Sequence, residues 1–131
     1  MVFLFSWMKV KEVMKQPFVV DKDISLKEAA KIMSSNGIGS LIFVSGNDIR
    51  GIITDTDLVR NYDSSAKIKS IMSAKVITIS PDENLENAAQ LMRKNAIKRL
   101  PVVDNGKLVG IVTVTELIAH ADELDDEFFF D

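Results

Sequence analysis

The stretch that decides the fold is a segment of eight residues that occurs twice. Its first copy reads Gly51-Ile52-Ile53-Thr54-Asp55-Thr56-Asp57-Leu58, and its second copy reads Gly110-Ile111-Val112-Thr113-Val114-Thr115-Glu116-Leu117. The offset is 59 positions (110 − 51 = 59), and it also aligns Leu26 with Leu85 and Met33 with Met92. A repeat of this length is one structural unit used twice. The matching Thr residues go beyond what a shared apolar core requires.

The composition predicts a small globular protein. The chain has 131 residues, of which 47% are hydrophobic and 27% charged. Each half, at about 60 residues, would be marginal alone because small units bury too little surface, so we expect the halves to share a core. The net charge of −3 gives no general attraction to nucleic acid. The absence of Cys excludes disulfides and a thiolate nucleophile, and it is compatible with a cytoplasmic protein.

The two ends of the chain differ in composition from the repeats. Residues 1–8 are mainly apolar but too short for a membrane span and lack a preceding basic residue, so they predict neither a membrane anchor nor a signal peptide. We expect them to pack on the core or on a partner subunit. Residues 122–131 are acidic and then aromatic. This tail is either a solvated end or a docking peptide for an unidentified protein partner.

Apolar periodicity and turn residues predict the order β-α-β-β-α in each half. The predicted elements of the first half are residues 18–20, 26–36, 41–44, 49–54 and 56–61. Those of the second half are residues 76–79, 85–95, 100–103, 108–112 and 115–121, with a polar linker at 62–66. Ser25 is the expected N-cap of the first long helix, and Gly37 its left-handed end. Asn105-Gly106 predicts a tight hairpin turn.

This element order, with a Gly-apolar-apolar-Thr-x-Thr-acid segment closing each half, resembles the cystathionine-β-synthase (CBS) domain. The resemblance covers residues 9 to about 120, and the tandem arrangement is similar to a CBS pair, or Bateman module. It implies CBS repeats at 9–62 and 67–121, flanked by an extension at 1–8 and a tail at 122–131. The implied fold is α+β, with two repeats related by a pseudo-twofold axis and small sheets packed on each other under helices.

The resemblance also implies a function. CBS pairs commonly bind adenosine-containing ligands such as AMP, ADP, ATP or S-adenosylmethionine, and they commonly act as regulatory homodimers. We therefore expect a regulatory module that binds an adenine nucleotide between its repeats and signals to a partner or across a homodimer. No catalytic residue, catalytic cofactor or metal site is predicted, because the sequence has no Walker loop and no zinc spacing. The alternative is an assembly module that binds no ligand and works through a helical face and Phe residues 128–130.

The residues of the repeated segment suit a nucleotide. Thr54 ends a predicted strand and Thr56-Asp57 opens a predicted helix, where backbone N–H groups favour phosphate. The Thr hydroxyls add donors. The resemblance assigns Asp57 to the two hydroxyls of a ribose. The other interpretation is that Thr56 and Asp57 only cap the helix.

The two predicted clefts are not equivalent. The resemblance places the basic pair Lys98-Arg99 on phosphate, whereas Gly39-Ser40 at the matching positions carry no charge. Glu116 is one methylene longer than the Asp of the family. The tight cleft is predicted to contain Thr54, Thr56, Asp57, Val76, Ile77, Thr78, Lys98 and Arg99. A second, weaker cleft is predicted to contain Phe18, Val19, Ser40, Thr113, Thr115 and Glu116.

Overall fold

The structure is a computed structural model that describes residues 7–62 and 65–120. These residues divide into two compact units. The first-repeat unit consists of residues 17–62 and 65–76, and the second-repeat unit consists of residues 7–16 and 77–120. The predicted tail at 122–131 and most of the predicted extension at 1–8 lie outside the described residues.

The first-repeat unit contains a three-stranded sheet and three helices. Its elements are β1 (Val19–Val20), α1 (Leu26–Asn36), β2 (Ser40–Ser45), β3 (Asp48–Thr54), α2 (Asp55–Arg60) and α3 (Ile68–Ile71). The strand order is β1-β2-β3, with β1 parallel to β2 and β2 antiparallel to β3. The Oγ of Ser25 caps α1 by accepting from the N–H of Glu28, and Gly37 ends it at φ 62°. Both were expected from the sequence.

The second-repeat unit contains a two-stranded sheet. Its elements are a 3-10 helix (Val10–Glu12), α4 (Leu85–Asn95), β4 (Arg99–Asp104), β5 (Lys107–Thr113) and α5 (Val114–Ala119). The hairpin between β4 and β5 turns at Asn105 and Gly106, both with positive φ, as the Asn-Gly pair predicted. The α+β class is therefore confirmed. No helix among residues 7–62 and 65–120 has the length and apolar character needed to cross a bilayer.

The strand predicted at residues 76–79 is wrong. In this stretch Ile79 alone pairs with β4, through a bond from its N–H to the Pro101 carbonyl and another from the Val103 N–H to its own carbonyl. The chain turns immediately afterwards, because the N–H groups of Asp82 and Glu83 both bond back to Ser80. Val76, at the other end of the stretch, belongs to the first-repeat unit. One residue is left to pair with the sheet.

Each unit includes a short helical segment from the start of the other repeat. Helix α3 follows the first repeat, and its Ile68 is fully buried in the first-repeat unit, where its N–H bonds to the Ile24 carbonyl. The 3-10 helix lies at the start of the first repeat, and its Val10 is fully buried in the second-repeat unit, with its N–H bonded to the Glu83 carbonyl. The sequence analysis did not find α3. Because each short segment packs in the unit of the other repeat, it contributes some of the residues around that unit's copy of the repeated segment.

Each unit has its own cluster of buried apolar side chains, and the core shared by the two halves stays a prediction. Helical spacing places Leu26, Ala29 and Met33 on the buried face of α1. The matching face of α4 buries Leu85, Ala88, Ala89 and Met92. The strands add Leu41, Phe43 and Ile53 in the first-repeat unit, and Leu100, Val102 and Val112 in the second.

Candidate functional site

The first copy of the repeated segment forms the junction between β3 and α2. Thr54 is the N-cap residue, and its Oγ1 accepts from the Asp57 N–H at 3.3 Å. In return, Oδ2 of Asp57 accepts from the Thr54 N–H at 2.9 Å. These two bonds form a capping box. The helix therefore begins at Asp55, one residue earlier than predicted, and the cap is Thr54 rather than Thr56.

The backbone donors at this helix start are already used within the unit. The Asp55 N–H bonds to the Gly39 carbonyl at 2.9 Å, and the Thr56 N–H bonds to Oδ1 of Asp55 at 2.8 Å. Together with the capping box, all four N–H groups of residues 54–57 have protein acceptors. A phosphate would have to displace one of them, so hydroxyl groups and cations are the better phosphate donors here.

Asp57 keeps acceptor capacity. Its side chain is half-buried, and a carboxylate can accept about four hydrogen bonds in total. Oδ2 lies in the capping box, whereas Oδ1 accepts no hydrogen bond from the part of the chain that the structure describes. No cation among those residues pairs with Asp57 either. The acid thus caps the helix with one oxygen and has a second oxygen that accepts no hydrogen bond from the described residues.

The second copy has the same backbone arrangement and a different acid. Glu116 is 5% exposed, and its Oε1 accepts from the Thr113 N–H at 2.7 Å and from the Thr113 Oγ1 at 2.8 Å. Its Oε2 lies 3.2 Å from the Nζ of Lys15. Both carboxylate oxygens are therefore paired within the second-repeat unit.

Lys15 reaches Glu116 because its backbone is fixed beside β5. The N–H and carbonyl of Lys15 both bond to Ile111, each at 2.9 Å. In the first-repeat unit, Ser73 makes the same pair of bonds to Ile52, each at 3.0 Å. Ile52 and Ile111 are related by the repeat, so Ser73 and Lys15 occupy matching backbone positions. The side chain of Ser73 is too short to reach the acid of its own unit.

Lys15 was not among the residues predicted from the sequence. The signal was present, because Met14-Lys15 corresponds to Met72-Ser73 at an offset of 58 (72 − 14 = 58) rather than 59. The tight approach of Met14 to Gly110, and of Met72 to Gly51, confirms this correspondence. A search at the repeat offset of 59 does not align these residues, because their own offset is one residue shorter.

The structure places the other predicted residues as follows. Ser40 pairs with Thr54 in the first-repeat hairpin, and Arg99 pairs with Thr113 in the second. The carbonyl of Lys98 accepts from the Val114 N–H at 2.9 Å, so the basic pair is fixed beside the second copy. Thr56 and Thr115 are exposed.

The residues that the clefts were predicted to take from the first strand of each repeat are half-buried or exposed. Phe18 and Val19 are 41% and 48% exposed, at the edge of the first-repeat sheet. Val76 belongs to the first-repeat unit, and Ile77 and Thr78 belong to the second. Thr78 lines a groove of about 540 Å³ along α4, together with side chains that include Asn87 and Gln90.

Metal binding has no support in the described residues. Within 7–62 and 65–120, no three His, Cys, Asp or Glu side chains are grouped so that they could hold a metal ion.

Comparison with known proteins identifies the fold. Residues 10–64 and 68–123 each match the family model of the CBS domain. The CBS domain-containing protein YhcV of Bacillus subtilis (strain 168) is 32% identical over 110 aligned residues, covering 80% of this chain and 79% of the relative. A homoserine O-acetyltransferase of Methanosalsum zhilinae is 41% identical over 112 aligned residues, covering 82% of this chain but 23% of the enzyme.

A solved structure shows the same fold. It is the CBS domain pair of protein MJ0100 in complex with 5′-methylthioadenosine and S-adenosyl-L-methionine. The similarity has a TM-score of 0.82 at 34% sequence identity and covers 88% of this chain and 97% of that one. The tandem family matches and the shared fold show that this chain belongs to the CBS domain family and carries two CBS domains, a CBS pair.

Proposed function

We propose that this CBS pair is a non-catalytic regulatory module that binds an adenine nucleotide of the AMP, ADP or ATP type. S-adenosylmethionine is a further candidate ligand. The bound state would be passed to a protein partner or across a homodimer. The observation that carries the proposal is the Asp57 carboxylate, whose Oδ2 holds the helix cap while Oδ1 accepts no bond from the described residues.

The chemistry of Asp57 favours a ribose. Two neighbouring hydroxyl groups can both donate to one carboxylate, and each bond to a charged acceptor contributes roughly 1.5–3 kcal/mol. A phosphate at the same place would be repelled by the negative charge. The half-buried position of Asp57 strengthens its hydrogen bonds relative to a fully solvated carboxylate.

The remaining ligand contacts are proposed from the predicted residue set. Thr54 and Thr56 lie beside Asp57, Lys98 and Arg99 would pair with phosphate, and Val76, Ile77 and Thr78 would contact the adenine. The MJ0100 domain pair supports this choice of ligand class, since both of its ligands contain adenosine. A cytoplasmic location stays a prediction from the absence of cysteine.

Calorimetric titration with AMP, ATP, adenosine and S-adenosylmethionine tests the ligand class. Asp57→Ala should weaken the tightest of these about tenfold to a hundredfold, because it removes a charged acceptor. Asp57→Asn separates the two roles of the acid, since the amide oxygen can still cap the helix but the charge is gone. Glu116→Gln is the matched control and should hardly change the tight site.

Two results would contradict the proposal. Absence of binding by every adenosine-containing ligand would refute the ligand class. Unchanged affinity in both Asp57 variants would reduce Asp57 to a helix cap.

Assembly is the second candidate function, and two exposed side chains favour it. Val59 on α2 is 77% exposed and Ile118 on α5 is 57% exposed, and they occupy matching positions of the repeat (118 − 59 = 59). Apolar side chains of this kind are typical of the centre of an interface between subunits. We propose a homodimer that packs through these helices, with or without ligand. The tail at 122–131 remains a proposed docking peptide for a protein partner.

Light scattering tests the homodimer. The wild-type chain should give more than the 14.6 kDa of one chain at micromolar concentration. Val59→Asp and Ile118→Asp should shift the mass towards one chain, whereas Val109→Asp, which changes an exposed strand residue, should not. A wild-type mass of one chain would exclude the dimer.

A further inference from the structure

We propose that Lys15 decides which repeat of this CBS pair accepts a ribose, because its ammonium group keeps Glu116 paired and closes the second copy of the repeated segment. The inference rests on the proposed function, since it concerns the choice between two sites for the same ligand class. It assigns a specificity role to a residue that lies outside the repeated segment.

The pairing of Glu116 leaves little acceptor capacity for a ligand. Oε1 already accepts two bonds from Thr113, and Oε2 faces the Nζ of Lys15 at 3.2 Å. The carboxylate is almost completely buried, at 5% exposure. A ribose would have to displace the ammonium group and take over a buried charge, which is unfavourable unless its own bonds replace those it breaks.

The position of Lys15 is fixed by its backbone. Two bonds to Ile111, each at 2.9 Å, hold it beside β5. The preceding residue, Met14, packs so closely on Gly110 that a Cβ there would lie 2.6 Å from its Sδ. The Lys15 side chain as a whole is largely exposed, at 66%. The side chain can therefore be changed without removing a buried group.

The first-repeat unit provides the natural comparison. Ser73 has the same two backbone bonds, to Ile52 at 3.0 Å, and is exposed. Its Oγ donates a weak hydrogen bond to the Lys75 carbonyl at 3.4 Å. Because serine is uncharged, this position places no cation near Asp57. The two repeats thus differ at two coupled positions, Lys15 with Glu116 in one and Ser73 with Asp57 in the other.

Exchanging these positions tests the inference. Adenosine is the probe, because it presents the ribose and adenine without needing the basic pair Lys98-Arg99. Wild-type protein should bind one adenosine tightly, with a second event that is weak or undetectable. In Lys15→Ser/Glu116→Asp, which copies the first-repeat pair, the second event should strengthen at least about tenfold.

A second variant makes the opposite change, because it adds a lysine in the first-repeat unit instead of removing one from the second-repeat unit. Ser73→Lys places an ammonium group at the position that matches Lys15 and should weaken the tight site at least about tenfold. Ser73 is exposed, so the variant should fold, and a thermal melt checks this. Lys15→Arg is the conservative variant and should keep the second event weak.

The outcomes separate this inference from the proposed function. If wild-type protein binds no adenosine-containing ligand, the proposed function fails and this inference fails with it. If wild-type protein binds one adenosine but neither exchange changes the titration, only the role of Lys15 is wrong. If Glu116→Asp alone strengthens the second event as much as the double variant, the length of the acid decides and Lys15 does not.

Discussion

The acids that follow β3 and β5 differ in how many of their oxygens are paired. One oxygen of Asp57 accepts from the Thr54 backbone, whereas both oxygens of Glu116 are paired, one with Thr113 and the other with Lys15. The backbone of the two junctions is the same, since each has a Thr N-cap and a capping box. The same motif therefore places its acid in two different hydrogen-bonding environments. Asp57 keeps one oxygen without a hydrogen bond from the described residues, whereas both oxygens of Glu116 are paired within its own unit.

The origin of the difference lies outside the repeated segments. Each unit is completed by a short stretch from the start of the other repeat, and one of the positions at which these stretches differ lies beside the repeated segment. Lys15 lies beside β5, and Ser73 lies at the matching place beside β3. A single cation therefore changes the electrostatic surroundings of one acid and not of the other.

The largest expected effect is on stability. Glu116→Ala removes two bonds from Thr113 and an ion pair to a buried carboxylate, so we expect a loss of about 2–3 kcal/mol. Asp57→Ala removes one capping interaction at a half-buried position and should cost about 1 kcal/mol. Urea unfolding without ligand measures both, with the exposed Lys31→Ala as a neutral control. Equal losses would mean that the two acids play the same structural role.

The next effect concerns the glycine that opens each copy. A Cβ on Gly110 would lie 2.6 Å from the Met14 Sδ and 3.2 Å from the Lys15 carbonyl oxygen. On Gly51 the three nearest atoms all belong to the Met72 side chain, which can move. Overpacking should make Gly110→Ala cost about 1–2 kcal/mol and Gly51→Ala less. Thermal unfolding compares them, and a smaller loss for Gly110→Ala would show that the Lys15 backbone is not rigid.

A smaller effect is expected on the affinity for AMP when the basic pair of the second repeat, which has no counterpart in the first repeat, is changed. Arg99→Ala should weaken AMP about tenfold, because it removes a charge-assisted bond to phosphate. Adenosine, which has no phosphate, should be hardly affected. The affinity for AMP should also fall as salt rises, since ions screen a partly exposed pair. The exposed Lys94→Ala is the control, and equal weakening of AMP and adenosine would remove phosphate binding from Arg99.

The smallest effect concerns the ends of the two long helices. Gly37 ends α1 at φ 62°, and Ala96 ends α4 at φ 54° in the matching position. A left-handed conformation is unfavourable for Ala, so Ala96→Gly should stabilise the protein by about 0.5–1 kcal/mol after the greater freedom of the unfolded Gly is subtracted. Gly37→Ala should destabilise it. A lower urea midpoint for Ala96→Gly would contradict the strain at Ala96.

Local sequence signals predicted the elements that depend on neighbouring residues. Helix α4 has the predicted bounds because its apolar residues keep helical spacing from Leu85 to Met92, and one further turn follows up to Asn95. Asn105-Gly106 turned as expected because both residues tolerate positive φ. The strand at 76–79 failed because apolar residues in an extended stretch do not reveal whether a partner strand continues beside them. Helix α3 was missed because four residues carry too little periodicity to be distinguished from a loop.

The repeat, the family and the acid at the end of each copy could all be predicted from the amino-acid sequence. These properties depend on residue identity and spacing, and they can be recognised without knowing the tertiary contacts. Which acid has both of its oxygens paired within the protein depends on the tertiary structure. Lys15 and Glu116 are 101 positions apart (116 − 15 = 101), and they meet only because residues 14 and 15 pack beside β5. Hydrogen bonds and ion pairs depend on distances between atoms, and those distances are set by packing between segments that are remote in the chain.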